Sequence, residues 1–302
     1  MVSHKTTFID AGKIDQSRPL ERAPKSNWKI ELMKKGLGVL QYVSPRKTTE
    51  IVWHHFTKPG QPRFTDHQKA IMDKAKKGSF NYLGYDIATY RWGDNGPRIL
   101  LSHGWNSKIA DFRRMIEYLV DNGYCVEGID MKAHGNSQGR HSALPEFRDL
   151  LKMYFMSNGP YHAVIGYSIG GMAAGIMLSE LSKEFQPEKF FMIAAPSHIR
   201  YFFKDIIKDL GYKKEIYQTM CGMVEERYHQ SIDYFDLRDK QNKISNMDIH
   251  FIYDEDDTTV PMIRGKEMIE AYPEASFVQT KGMGHYKIIA HQEVIKYVNN
   301  NL

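Results

Sequence analysis

The sequence predicts an α/β fold: a mostly parallel, doubly wound sheet with helices on both faces and a small helical insertion late in the chain. Three observations carry this. Short apolar runs, among them Arg98–Leu101, Tyr124–Ile129, Ala163–Ile165 and Lys189–Ala195, read as buried strands. Between them lie stripes at helical spacing, such as Phe112, Met115, Ile116, Leu119 and Val120, which is the alternation of βαβ units and a parallel sheet. The alternation stops between Ser197 and Asn246, where no clear strand occurs and helices are expected over 199–210, 214–224 and 225–233.

Taken in order, residues 1–27 are polar and basic and contain Pro19 and Pro24, which predicts a leader with little intrinsic structure. From Trp28 to Val43, Trp28, Leu32, Met33, Leu37, Leu40 and Val43 recur near helical spacing, weakened by Gly36 and Gly38. This segment either packs on the outside of the core or touches an anionic membrane surface, and packing is the commoner fate of an amphipathic helix. Pro45, Pro59 and Pro62 punctuate the next stretch, ahead of a short helix near Asp66–Ala75. Residues 80–83 and 86–92 alternate as strands around a turn at Gly84. After the insertion, Ile249–Tyr253 and Ser276–Gln279 read as strands, a helix spans Ile263–Tyr272, and a terminal helix spans 288–299. This gives three segments: an extension at 1–79, a core at 80–196 and 247–302, and the insertion at 197–246.

With 302 residues, 42% hydrophobic and 12% aromatic, the chain can bury a sizeable core as one domain with an insertion. Its formal charge of +5 is all found in residues 1–50, so the remainder is neutral and no nucleic-acid partner is indicated. No apolar run resembles a signal sequence or reaches the ~20 residues of a membrane span, and a cytoplasmic location is expected. Cys125 and Cys221 form neither a disulfide framework nor a metal-ligand spacing, and His54-His55 lacks further ligands nearby.

The chemistry centres on Gly166-Tyr167-Ser168-Ile169-Gly170, which follows the strand at 163–165 and opens a helix rich in small residues. Such a turn holds a serine at the tip of a strand at strained angles, and its neighbours must be small for strand and helix to close. The sequence here resembles the α/β-hydrolase family over roughly residues 80–302. In that family the serine is followed in the chain by an acid and then a histidine. The resemblance implies Ser168 as nucleophile and His285, after Gly282-Met283-Gly284, as base. It implies Asp257, just ahead of Val260-Pro261, as the acid, although Asp254 and Asp256 share that turn. It also implies an oxyanion hole formed by the backbone N–H groups of Trp105, after His103-Gly104, and Ile169. His103 is expected to shape its loop, as are Asp130, His134 and Ser137, which match the family's Asp-x-x-x-His-Gly-x-Ser-x-Gly loop. The insertion corresponds to the family's helical cap, and its aromatic and methionine content suits either an apolar pocket or packing onto the core.

A serine hydroxyl needs a base within hydrogen-bond reach to attack a carbonyl, and this set requires no metal or organic cofactor. The expected function is hydrolysis of a small-molecule carboxylic ester with an apolar acyl or aromatic part. The same set could cleave an amide, peptide or thioester, with Glu225-Glu226 available to hold a substrate ammonium. A binding protein without catalysis would have no need of every one of these elements. Dehalogenase and epoxide-hydrolase relatives carry Asp where this chain has Ser168.

Overall fold

The computed structural model describes residues 5–10, 28–244 and 246–302, and the side chains of residues 28–34 fall outside that description. Nine strands form one sheet: β1 (Thr6–Asp10), β2 (Lys76–Tyr82), β3 (Tyr85–Trp92), β4 (Arg98–Ser102), β5 (Cys125–Ile129), β6 (Ala163–Tyr167), β7 (Lys189–Ile193), β8 (Asp248–Asp254) and β9 (Ser276–Lys281). The helices are α1 (Trp28–Val43), α2 (Pro45–Phe56), α3 (Asp66–Asp73), α4 (Arg113–Asp121), α5 (Leu144–Asn158), α6 (Ile169–Ser179), α7 (Ile199–Asp209), α8 (Lys214–Tyr228), α9 (Gln241–Ile244), α10 (Ile263–Ala271), α11 (Gly284–Lys287) and α12 (Gln292–Asn300).

The described residues divide into two compact units: 5–10, 59–197 and the described part of 237–302 form the first, and 28–58 and 198–236 the second. In the first, the strand order is β1-β9-β8-β7-β6-β4-β5-β3-β2. Every neighbouring pair from β1 to β5 in that order is parallel, while β3 runs antiparallel to both β5 and β2. Strands β5 and β6 are buried at every position and β4 at all but the first, which explains their continuous apolar character. Helix α4 adds Met115, Ile116 and Leu119 to the core, and α12 adds Val294, Ile295 and Val298.

Strand β1 departs from the expected unstructured leader. Residues 6–10 pair in parallel with 277–281, and the Lys5 carbonyl accepts the Phe277 N–H at 3.0 Å. As an edge strand it leaves Phe8 55% exposed, so it carries none of the apolar patterning that marks a central strand. The expectation for residues 1–4 and 11–27 lies outside the described residues.

In the second unit, helices from both ends of its sequence share one packing. The Trp53 ring meets Phe203 edge-on at 6.3 Å and Tyr228 at 6.4 Å, and Phe56 packs on Phe202 and Phe203. Arg46 holds Glu226 through two contacts of 3.0 and 2.8 Å, so that glutamate of the Glu225-Glu226 pair is already engaged by a cation. What conceals helix α2 in the sequence is Pro45, a residue that reads as punctuation. It occupies the first turn, where proline's missing N–H costs nothing, and Ser44 caps the helix. Within α1, Leu37 and Gln41 are buried, whereas Val39, Tyr42 and Val43 are exposed. The positions of Trp28, Leu32 and Met33 side chains lie outside the described residues.

Candidate active site

Because the central strands are parallel, the loops leaving β4, β6, β8 and β9 emerge at one edge of the sheet, and all the expected site residues sit on those loops. Ser168 follows β6 directly, with φ +53° and ψ −132°, a left-handed backbone that a side chain adopts only when its surroundings enforce it. Its N–H donates to the Ile193 carbonyl at 2.9 Å, and its own carbonyl accepts the Gly171 N–H at 2.9 Å. The flanking glycines are there for clearance. A Cβ on Gly166 would fall 2.4 Å from the Gly171 Cα, and one on Gly170 would fall 2.2 Å from the His103 carbonyl oxygen. No side chain fits either contact, so the small residues of the motif are dictated by how tightly strand, turn and β4 loop close.

His285 is the second residue of the short helix α11 beyond β9, and its Nε2 lies 3.1 Å from Ser168 Oγ. On the other side, Nδ1 lies 2.7 Å from Asp257 Oδ2. A carboxylate facing Nδ1 sets that nitrogen as the proton carrier, leaving Nε2 to accept from the serine hydroxyl. The second oxygen of Asp257, Oδ1, accepts the N–H groups of Thr259 at 2.8 Å and Val260 at 2.7 Å, which aims Oδ2 at the imidazole. Asp257 and His285 are both buried, so the pair interacts with little solvent screening.

The other two acids of that turn are engaged elsewhere. Asp256 accepts the Gly282 N–H at 2.9 Å, and Asp254 accepts the N–H groups of Met283 at 3.1 Å and Gly284 at 2.9 Å. Of the three, Asp257 is the one beside the imidazole.

Gly104, the residue before Trp105, and Ile169, the residue after the nucleophile candidate, both lie next to Ser168. Gly104 lies so close that a Cβ there would fall 3.0 Å from Ser168 Cβ, which brings the His103-Gly104-Trp105 segment to the serine. Ile169 is the first residue of α6, where an N–H has no carbonyl partner within the helix and the helix dipole is positive. His103 is fully buried. Its Nδ1 donates to the Gly104 carbonyl at 2.8 Å and its Nε2 accepts the Met131 N–H at 2.9 Å, and burial lowers its pKa and keeps it neutral. It shapes the loop.

The Asp130–Gly139 loop is equally structural. Asp130 accepts from the N–H groups of Ile109 and Asn136 at 2.9 Å each and from Tyr90 Oη at 3.1 Å. Ser137 donates to the Asp130 carbonyl and accepts the Ala88 N–H. His134 donates to the Lys132 carbonyl at 2.9 Å, and its ring stands edge-on to Trp105 at 5.0 Å. Burial, reinforced by His103 alongside, pushes its pKa down to about 3.

Tyr167 is a contributor the sequence did not single out. Its hydroxyl donates to the His285 carbonyl at 3.0 Å, and its ring packs on the imidazole with centroids 5.1 Å apart. Burial first, then the nearby Asp257 charge, raise its pKa far above the usual phenol range. As the variable residue inside the glycine-serine motif it offered no signal of this role.

The sheet order, the strained serine after β6 and the acid and histidine loops beyond β8 and β9 define an α/β-hydrolase. Residues 96–287 match the family model described as Serine hydrolase (FSH1). The chain belongs to that serine hydrolase family. No curated protein matches it in sequence. Among solved structures, the esterase Pf2001 of Pyrococcus furiosus is similar at TM-score 0.60 and 20% identity, covering 80% of this chain and 97% of its own. A lipase described as putative (Lip1), from Acinetobacter baumannii, gives 0.59 and 15%, covering 80% and 97%. A thioesterase domain from the curacin biosynthetic pathway gives 0.54 and 13%, covering 75% and 98%. At these identities the likeness is one of fold.

Proposed function

We propose that the chain hydrolyses a carboxylic ester of a small molecule through an acyl-enzyme on Ser168. The observation that carries this reading is the continuous run Ser168 Oγ, His285, Asp257, with contacts of 3.1 and 2.7 Å. His285 Nε2 takes the hydroxyl proton as Oγ attacks the carbonyl carbon, and Asp257 stabilises the imidazolium that forms. The N–H groups of Trp105 and Ile169 stabilise the oxyanion, a contribution of about 10²–10³ in turnover per donor. His285 then returns the proton to the departing alcohol, and a water activated by the same nitrogen releases the acid.

An ester is favoured over an amide because an alcohol is the better leaving group and asks less of the general acid. Cleavage of a peptide with a free ammonium group loses support from Glu226, whose charge is matched by Arg46. Within the helical unit, Phe203, Met220, Met223 and Phe235 are buried, which assigns them to packing, while Phe202 remains 37% exposed. An apolar acyl or aromatic group as the substrate's second feature is part of the same reading. So is a cytoplasmic location, supported by two cysteines that are both free thiols. Peripheral membrane contact through α1 is the second reading: Leu37 is buried, while Val39, Tyr42 and Val43 are exposed.

The test is hydrolysis of p-nitrophenyl esters from acetate to palmitate by the purified chain beside Ser168→Ala. Turnover that disappears in the variant supports the reading, and the chain-length optimum sizes the acyl site. A folded chain inert toward every ester but active on an acyl thioester would replace the ester by a thioester.

A further inference from the structure

The base sits on Gly282-Met283-Gly284-His285, a segment whose two glycines have φ of +85° and +59°. Such a loop is the most pliable backbone available, yet a general base must be held to within about 0.5 Å of its working position. What holds it is a carboxylate the proposed chemistry does not use. Asp254 closes β8 and is fully buried. Its Oδ2 accepts the Met283 N–H at 3.1 Å and the Thr280 hydroxyl at 2.6 Å. Its Oδ1 accepts the N–H groups of Gly284 at 2.9 Å and Asp256 at 3.0 Å. The Asp254 carbonyl also accepts the Asp257 N–H at 3.2 Å. One residue thus ties down both the loop that carries the acid and the loop that carries the base.

A buried carboxylate is tolerated only when its lone pairs are filled, and here four donors fill them. Three of those donors are backbone N–H groups in the two loops flanking the imidazole. From the opposite side, Tyr167 Oη donates to the carbonyl of His285 itself. We infer that Asp254 and Tyr167 act together as positioning residues for His285: they fix the backbone on either side of the imidazole so that Nε2 faces Ser168 and Nδ1 faces Asp257. Neither hydrogen-bonds Ser168 Oγ or an imidazole nitrogen. The inference rests on the proposed serine-hydrolase chemistry and adds two residues to it.

Replacing Asp254 by asparagine keeps the volume but turns one pair of acceptor sites into donors, which then oppose either the Met283 N–H and Thr280 hydroxyl or the N–H groups of Gly284 and Asp256. Tyr167→Phe keeps the ring against the imidazole and removes only the hydrogen bond. The experiment reacts wild type, Asp254→Asn and Tyr167→Phe with a fluorophosphonate and follows both the rate and the final fraction labelled, beside kcat and KM on one p-nitrophenyl ester. A positioning role predicts full final labelling in each variant. It predicts a rate and kcat lowered about 10- to 100-fold for Asp254→Asn and about threefold or more for Tyr167→Phe, with KM within about twofold. A purely structural role predicts the reverse, with a reduced labelled fraction reacting at the wild-type rate, and that result overturns the inference. If Asp254→Asn does not fold, Tyr167→Phe decides, and a wild-type rate there overturns it. Slow variants beside a reactive wild type uphold it. A wild type that does not label at all overturns the parent chemistry, and this inference with it.

Discussion

Asp257 and His285, 28 residues apart in sequence, meet through a 2.7 Å contact in which one carboxylate oxygen serves the imidazole and the other is committed to the backbone of its own turn. That division of labour fixes both the direction and the tautomer of the histidine. Asparagine at 257 would keep the turn while presenting an amide to Nδ1. Asp257→Asn should lower kcat by about 10³–10⁴-fold with little change in melting temperature, measured by ester hydrolysis beside thermal unfolding. Near-normal turnover would show that another acid serves His285.

The buried histidines predict how stability responds to acid. His103 and His134 are neutral in the folded chain, with pKa values lowered by burial and that of His134 near 3, against ~6.5 when unfolded. Below pH ~6.5 the unfolded chain binds protons that the folded chain refuses, so stability must fall as pH falls toward the folded value. Above that pH these groups contribute no slope. Urea unfolding should show wild type losing about 2 kcal/mol more than His134→Phe between pH 7.5 and pH 5. Parallel curves for the two proteins would refute the assignment.

Gly170 allows no Cβ, because the position it would take lies 2.2 Å from the His103 carbonyl oxygen and 2.7 Å from that of Ser102. Both are backbone atoms of the segment leading to Trp105. Gly170→Ala should therefore cost about 1–3 kcal/mol of stability and also displace the loop that leads to Trp105. Calorimetry and ester kinetics on the same sample would detect the paired loss, and a variant with wild-type values in both would contradict the packing described.

In the middle of β5, the side chain of Glu127 is 4% exposed and held by Arg98 through contacts of 2.8 and 3.0 Å, with Tyr161 Oη at 2.8 Å. Removing that carboxylate leaves a guanidinium without its charge partner. Glu127→Leu should destabilise the chain by about 3 kcal/mol while kcat is unchanged at a temperature where the protein is folded. A loss of turnover without a loss of stability would be the contrary result.

Much of this architecture is written in local patterns. The run Ala163–Ile165, the small residues after Ser168 and the two glycines before His285 each state a backbone requirement, so the loops and the central strands could be read from sequence. The elements that escaped depend on partners far away in the chain. Strand β1 exists because it finds β9, and three of its five residues are exposed. Helix α2 and the insertion helices share an aromatic cluster that no local window contains. The separation of Asp254 from Asp257 was equally invisible, since both belong to one acidic turn and only their hydrogen-bond partners tell them apart.

The most direct test of the account is to stop turnover of a p-nitrophenyl ester with acid and map the peptides by mass spectrometry. One acyl group is expected on the peptide containing Ser168, accumulating in a burst that precedes steady release. Acylation at another residue, or turnover with no acylated peptide at any time, would contradict it.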